Sequence, residues 1–434
     1  MLKITHWLKE SVSNPATGIS NVMAICLFGA IFIQAKPAVV AMFLCVLMFM
    51  LSLSMRSVRH GLKQATLKDL RWIWIAMLVW PLVTGLLMLV QPYPIPLQSL
   101  GNPIRAVLAL GVLAYMLIYP PRTIFLLIGI LIACVASFVH GVHDVYVNHF
   151  ARALGWFNNE NHFGNYSALV GILAIVTGFL CSGWAAQMRI GSLVVGVLAL
   201  WAAAASGTRT SLVIVACLVP LLFTKFQDKP ARLLRNITLA CIAGAIGLAL
   251  MSPKVQHFIR INEAKSDFQS IRNTTGGSSI GDRLQMWKAS INMFEASPLL
   301  GAGLANYEKE LLKQIEQKKV LPLLASQNQA HSQPLHSLAT GGIALLLAYL
   351  LFIGGPFVWF LAAYLRFKGQ SEVRSLSYIG MSVVASHSIF SLTVAIFDVQ
   401  VFSSLYVIIV CCLAAMVYAS KERLLSAGSV ALNG

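Results

Sequence analysis

Acidic residues are scarce in this chain of 434 residues, which has 15 Asp and Glu against 32 Lys and Arg. None of them falls in the middle of an apolar run, and Asp398 lies at the mouth between the last two runs. Ion-coupled transporters usually carry protons or sodium on carboxylates inside the membrane, so this shortage weakens that class of function. The chain also lacks a DxD motif. Because clustered carboxylates for a divalent ion are not indicated, we expect no metal and no cofactor.

Charge of either sign is limited too. Only 11% of the residues are charged, 58% are hydrophobic and the mean hydropathy is +0.76, which excludes an ordinary soluble globule. Apolar runs of about 16–25 residues recur along the chain, long enough to cross a hydrocarbon core of roughly 30 Å. We predict an all-α, polytopic membrane bundle of about twelve transmembrane helices, which begin near residues 17, 37, 72, 104, 123, 166, 190, 210, 236, 334, 375 and 400.

Two further absences narrow the class of protein. There is no CxxC pattern among the eight cysteines, and all eight lie in apolar runs, so we interpret them as small core residues rather than disulfide partners or metal ligands. The net charge of +17 is not gathered in one tract. A nucleic-acid groove needs such clustering, so we expect membrane lipids and no nucleic acid as partners.

The basic residues instead follow the membrane. If the sides alternate at each span, the short segments on the N-terminal side hold eighteen Lys and Arg and those on the other side hold four. The positive-inside rule then places both termini in the cytoplasm. The predicted organisation is nine helices within 1–252, a large outer loop at 253–333, and three more helices within 334–434.

Helical patterning continues inside the outer loop. Leu284, Trp287, Ile291 and Phe294 recur at spacings of three and four, which predicts one apolar stripe of an amphipathic helix that Pro298 ends. Glu308 to Lys319 is predicted to form a second, strongly charged helix.

Arginines on the outer side are candidates for binding an anion. Arg209 lies in the tract SGTRTS and Arg283 lies in GDR, and a guanidinium pairs with two phosphate oxygens at once. The alternative is an interfacial arginine that extends toward lipid headgroups. For Arg209 we also expect a Ser-Gly-Thr turn with exposed backbone N–H groups, an anion nest. Arg105 and Arg152 are weaker candidates at comparable depth.

Histidines supply the candidate acid–base group. His331 and His336 lie where the outer loop re-enters the membrane, and a near-neutral imidazole can take a proton from a sugar hydroxyl. A lone histidine is more often a satisfied core residue, and we interpret His387 in that way. Asn161 belongs to the tract GWFNNENHFGN, whose amides and aromatic rings suit sugar recognition, although asparagines also simply cap helices.

These tracts together resemble a known family. GWFNNENHFG, SGTRTS, GDRLQMWKASINMFEASPLLGAGLANY and AHSQPLHSLATGGIAL occur in the order seen in bacterial lipopolysaccharide O-antigen ligases, whose relatives include O-antigen polymerases and protein O-oligosaccharyltransferases. By position, the two periplasmic arginines of that family resemble Arg209 and Arg283, and its essential histidine resembles His331. The chain differs at Ser332, where an asparagine is expected, and at His336, where a glutamine is common.

The resemblance implies a GT-C-like membrane glycosyltransferase in the bacterial inner membrane with a periplasmic active site. Its donor would be O-antigen polysaccharide on undecaprenyl diphosphate, and its acceptor would be lipid A–core. The implied transfer is metal-independent and inverting, with His331 as general base and the arginines on the diphosphate. An O-antigen polymerase or a protein O-oligosaccharyltransferase uses the same donor and stays open, and a lipid-linked glycan transporter is a further alternative.

Overall fold

The protein is described by a computed structural model, which covers residues 15–29, 69–91, 97–180, 186–214, 279–367 and 371–432 and the single positions 47, 50 and 236. These residues form helices and connecting segments, with no strand among them. The all-helical prediction is confirmed for this part of the chain. The α-helices are α1 (Pro15–Phe28), α2 (Arg71–Val90), α3 (Gly101–Ile118), α4 (Thr123–Val142), α5 (Glu160–Leu180), α6 (Ala186–Ala205), α7 (Arg209–Ile214), α8 (Ser279–Ala296), α9 (Tyr307–Glu316), α10 (Gln333–Arg366), α11 (Ser371–Ser391) and α12 (Gln400–Leu432).

Seven of these helices, namely α2, α3, α4, α5, α6, α10 and α12, are long and apolar enough to cross a membrane, so the protein is a multi-pass membrane protein. Helix α1 is apolar but shorter. Of the spans predicted near 37 and 236 only the single positions 47, 50 and 236 are described, and of the one near 210 only the start, within Arg209–Ile214, is described. The total of twelve therefore stays a prediction.

Helices α5 and α12 form the centre of the bundle. In their apolar stretches 94% and 89% of the residues are buried, against 33–50% in the other spanning helices. The outer helices present apolar side chains on their outward faces, as Leu82, Leu86 and Leu89 do on α2. Since a lipid-facing surface needs no polar cover, this distribution is the one expected of a bundle whose periphery contacts acyl chains.

Glycines allow close contact between α5 and α6. A Cβ on Gly171 would lie 2.8 Å from the carbonyl oxygen of Gly196, and a Cβ on Gly196 would lie 2.9 Å from that of Gly171. Small residues at helix crossings let backbones approach in membranes, where lipid leaves no hydrophobic force to drive helix association.

The two ends of the bundle differ in chemistry. At one end, Lys421 pairs with Asp69, and Glu372 accepts a hydrogen bond from Thr123 Oγ1 at 2.6 Å. We name this the basic end. The opposite end, the site end, gathers Gln91 and the segments 97–102, 142–160, 205–209, 297–333 and 391–400, which contain most of the tracts that the sequence analysis singled out.

Helices α8 and α9 both form at the site end, but the buried stripe predicted on α8 is wrong. Met286, Ala289 and Met293 are buried, whereas Leu284 and Ile291 are 37% and 43% exposed. The side chains that pack against α10 and α9 are the smaller or more flexible ones, which permit the close approach. The apolar periodicity correctly predicts a helix, but packing against α9 and α10 determines which face of it is buried.

Candidate active site

The start of α10 is a broken helix, and this break positions the candidate site. Gly342 has φ 63° and ψ −158°, so the short segment 333–341 is separated from the long segment 343–366. The loop 298–303 fills the break: Ala302 N donates to Ala339 O at 2.7 Å, and Ile343 N donates to Pro298 O at 2.9 Å. The Pro-x-x-Gly-x-Gly run thus supplies the hydrogen bonds that the broken helix lacks.

Glycine is required on both sides of this contact. A Cβ at Gly301 would lie about 2.5 Å from Thr340 backbone carbon, and one at Gly342 would lie about 2.5 Å from that of Leu299. Both glycines also have φ near +65°, where other residues are strained. Two backbones in contact therefore require glycine at positions 301 and 342.

Gln91, which the sequence analysis missed, fixes the same junction from α2. Its amide nitrogen donates to Leu300 O at 2.6 Å and to Thr340 O at 3.0 Å, and its oxygen accepts from Leu304 N at 3.1 Å. A buried glutamine after an apolar run was the available signal, but its partners lie more than 200 residues away in the chain.

His331 precedes this short segment in a left-handed backbone conformation, with φ 46°. Non-glycine residues adopt this conformation rarely, and such strain is often found at functional sites. Its Nε2 lies 3.1 Å from Gln327 Oε1. Because an amide oxygen can only accept, Nε2 carries the hydrogen, and Nδ1 is left with the lone pair of a base.

Arg283 lies within electrostatic range of His331. Burial and the Arg283 guanidinium both lower the pKa of His331 below its ordinary value of 6.5. At neutral pH the imidazole is therefore neutral and able to accept a proton. The structure thus brings together two of the three residues expected to carry the chemistry, although 48 positions separate them in the chain.

His162 joins this group and was not predicted. It lies in the first turn of α5, within electrostatic range of both His331 and Glu160, and its ring contacts Phe402 with centroids 4.4 Å apart. The tract GWFNNENHFGN was recognised as polar and aromatic, but our attention there went to Asn161. Asn161 is half-buried at the second residue of the same helix.

Arg209 is the first residue of α7 and is half-buried. The residues beside it tie it to the site: Thr208 Oγ1 donates to Glu160 O at 2.8 Å, and the hydroxyls of Thr210 and Thr393 are 3.4 Å apart. Arg209 thus lies at the same end of the bundle as Arg283 and His331, beside the first turn of α5. The three predicted residues are not scattered over opposite leaflets.

The anion nest expected in the Ser-Gly-Thr turn is wrong. The N–H groups of Ser206, Gly207 and Thr208 donate to Ala202 O, Ala204 O and the Ser206 hydroxyl. The turn is closed by its own hydrogen bonds because Ser206 and Thr208 are buried against α5. Any anion near Arg209 would meet the first-turn N–H groups of α7, which have no intrahelical acceptor.

Arg152 and Arg105 have partners within the protein. Arg152 donates to Glu160 Oε1 at 2.5 Å and to Ser206 O at 2.7 Å. It thus connects the segment before α5 to the turn before α7. Arg105 donates to Gly101 O and to Asn102 Oδ1 at 2.7 and 2.8 Å. A direct role for either in substrate binding stays a prediction.

His336 belongs to a second polar group on α10. Its Nε2 lies 3.3 Å from Asp398 Oδ2, and Asn102 Nδ2 donates to Asp398 O at 2.6 Å. We call residues 391–399 the strap. Its backbone is fixed by two amide oxygens, because Ala395 N donates to Gln329 at 3.0 Å and Phe397 N donates to Gln333 at 2.9 Å.

Helix ends of both signs meet at the site end. Helices α5, α7, α10 and α12 begin there, as the contacts of Glu160, Thr210, Gln333 and Asn102 show, whereas α2, α4, α6 and α11 end there. The N-terminus of a helix carries roughly half a positive charge and the C-terminus roughly half a negative one. The guanidinium groups, and not the helix ends as a set, therefore favour an anion at the site end.

Part of the chain is similar to known proteins. Residues 194–350 match the model of a family described as O-antigen ligase, a range that contains Arg209, Arg283 and His331. An uncharacterized protein of Haemophilus influenzae is 27% identical over 197 residues, which cover 44% of this chain and 48% of that protein. The chain thus spans about half the length of this curated relative. Over this matched range, the multi-pass membrane protein is similar to the O-antigen ligase family.

Proposed function

We propose that this chain is an O-antigen ligase of the bacterial inner membrane, with both termini in the cytoplasm and the site end in the periplasm. Its donor is O-antigen polysaccharide on undecaprenyl diphosphate, and its acceptor is a sugar hydroxyl of lipid A–core. The observation that carries the proposal is that His331 lies within electrostatic range of the Arg283 guanidinium, in the part of the chain that matches the family.

In the proposed reaction, His331 Nδ1 removes the proton of the acceptor hydroxyl while its oxygen attacks the anomeric carbon. The bond between that carbon and the diphosphate oxygen breaks, and undecaprenyl diphosphate leaves with the electron pair. Arg209 and Arg283 stabilise the negative charge that develops on the leaving group, where interactions specific to the transition state raise the rate. A single displacement inverts the configuration at the anomeric carbon.

The pKa of His331 supports the role of a base. A base must be unprotonated before it can act, and a lowered pKa keeps His331 in that form around neutral pH. Arg283 therefore serves twice, because the same charge that would hold a phosphate also keeps the nearby imidazole neutral.

Metal-independent transfer is part of the proposal. Among the residues that the structure covers, no group of three or more His, Cys, Asp or Glu side chains is arranged to hold a metal ion. The arginines instead supply the positive charge that a diphosphate leaving group needs.

The direct test is transfer by purified protein. Incubation with lipid-diphosphate O-antigen and lipid A–core should give ligated lipopolysaccharide at the same rate with and without a chelator. Loss of product in the chelator would remove the metal-independent mechanism. Product formed only when another lipid-linked glycan or a protein replaces lipid A–core would identify a polymerase or a protein O-oligosaccharyltransferase instead.

A further inference from the structure

A cavity of about 310 Å³ lies beside the site, between α2, α3, the start of α10 and the strap. Its wall includes one aromatic ring and several polar side chains, among them Trp80, Thr84, Asn102, Gln333, His336 and Asp398. A mostly preformed cavity with a few convergent polar groups is the usual form of a small-ligand site.

Two residues of this wall each carry a polar atom without a partner. Thr84 Oγ1 and His336 Nδ1 are buried and have no hydrogen-bond partner among the described residues. A threonine in a helix usually donates a hydrogen bond from its hydroxyl to a backbone carbonyl one turn earlier, and Thr84 does not. Leaving such groups unpaired costs about 1–3 kcal/mol each, so a cavity that keeps them suits a ligand with hydroxyl groups.

The charge of the cavity differs from that of the region around Arg209 and Arg283. Asp398 is the charged residue in its wall, and its side chain is 46% exposed. A carboxylate repels a diphosphate, so the lipid-diphosphate part of the donor is excluded from this cavity. A sugar hydroxyl both donates and accepts, and can pair with a carboxylate, an amide, a threonine hydroxyl and an imidazole nitrogen alike.

The cavity and the region around the two arginines share the strap. Thr393, at one end of the strap, contacts Thr210 next to Arg209, whereas Asp398, at the other end, contacts His336 and Asn102. His331 and His336 lie five positions apart in the chain, on either side of Gln333, which accepts a hydrogen bond from the strap. We therefore expect a sugar held beside His336 to lie close to the base.

We propose that this cavity binds a neutral sugar ring of the acceptor, with Asp398, Asn102 and Thr84 hydrogen-bonding its hydroxyl groups. Arg105 positions Asn102 through the hydrogen bond to its Oδ1. The assignment to the acceptor rests on the proposed function, since the hydroxyl that His331 deprotonates must be presented from a site next to the imidazole.

Binding and turnover test the proposal separately. The probe is a lipid-free core oligosaccharide released from lipopolysaccharide, titrated calorimetrically into purified full-length protein. Asp398→Asn should weaken binding about 10-fold or more, and Thr84→Val about 2- to 10-fold, because a charged and a neutral hydrogen bond are lost. Thr84→Ser, which keeps the hydroxyl, should bind as wild type does. Inorganic diphosphate should not compete.

The matched control is Thr123→Val at the basic end, where the same change removes a hydroxyl that contacts Glu372. It should leave oligosaccharide binding unchanged. In the transfer assay, Asp398→Asn and Thr84→Val should raise KM for the acceptor and leave KM for the lipid-diphosphate donor within twofold.

The outcomes separate the two proposals. Oligosaccharide binding that Thr84→Val weakens and Thr84→Ser restores supports the sugar site even if no transfer is found, in which case the ligase function alone fails. Equal oligosaccharide binding by wild type, Thr84→Val and Asp398→Asn overturns the sugar site, even where transfer itself proceeds. The same conclusion follows if these two variants raise only KM for the donor.

Discussion

His331 and His336 lie five positions apart, yet they occupy opposite electrostatic surroundings. His331 is half-buried, has a left-handed backbone and lies near Arg283 and His162. His336 lies within the helix and pairs with the carboxylate of Asp398. The difference teaches that sequence spacing alone does not assign the base: His331 lies near a cation that keeps its imidazole neutral, whereas Nε2 of His336 is already engaged by a carboxylate.

The largest expected effect separates the two histidines directly. His331→Asn should reduce transfer about 100- to 10,000-fold, because general-base assistance is lost. Asparagine tolerates the left-handed backbone, so the protein should stay folded, and donor affinity should be unchanged. Initial rates and binding of lipid-diphosphate donor by the purified variant provide the measurement. Transfer within 10-fold of wild type would show that His331 is not the base.

Arg283 should give the next largest effect. Arg283→Ala should reduce transfer about 100- to 1,000-fold, as loss of one group that stabilises developing charge usually does. Its effect on pH dependence is more specific. The rate should rise with pH as His331 loses its proton, so the acid limb of the pH–rate profile should lie below pH 6.5. Without the Arg283 guanidinium the pKa of His331 rises, and the acid limb should move to higher pH.

Arg283→Lys is the matched variant, since it keeps the charge but loses the fork that pairs with two phosphate oxygens. Its rate should fall while its acid limb stays near that of the wild type. If Arg283→Ala and wild type share the same limb in pH–rate profiles of kcat, the electrostatic contact with His331 has no part in activity.

Gln327 should have a smaller effect, because it acts through His331. Gln327→Glu places a negative charge beside Nε2 of His331 and should raise the pKa of the imidazole. The acid limb of the pH–rate profile should then move to higher pH. The plateau rate above the limb should fall by less than about 10-fold. Gln317→Glu, the same change at the exposed C-terminal cap of α9, should leave the limb in place. A limb unmoved in both variants would remove Gln327 as a positioning residue.

His336 should give the smallest effect on chemistry. His336→Gln keeps a hydrogen-bonding side chain, so kcat should stay within about 10-fold and the acid limb should not move. The change should fall on KM for the acceptor. A loss of kcat comparable to that of His331→Asn would reverse the comparison and assign the proton transfer to His336.

Sequence alone predicted the parts of this site that residue type decides. Arg209, Arg283 and His331 could be chosen because a guanidinium pairs with phosphate oxygens and a near-neutral imidazole can accept a proton. Their common location at one end followed from alternating spans. The helical character of α8 and α9 followed from apolar spacing and charge.

The remainder depended on contacts between distant segments. Gln91 and His162 acquire their roles only when α2 and α5 are packed against the start of α10. The apolar stripe of α8 was given the wrong phase because large residues were favoured over Met286 and Met293, which the packing selects. The nest before Arg209 failed because buried hydroxyl groups of Ser206 and Thr208 close the turn internally, a choice that composition does not reveal.

The anomeric configuration of the product tests the central claim most directly. Purified protein should be given a donor of defined anomeric configuration, and the new linkage should be determined by NMR. A direct displacement with His331 as base predicts that the configuration is inverted in every product chain. Retention would exclude a single direct displacement and would contradict the account.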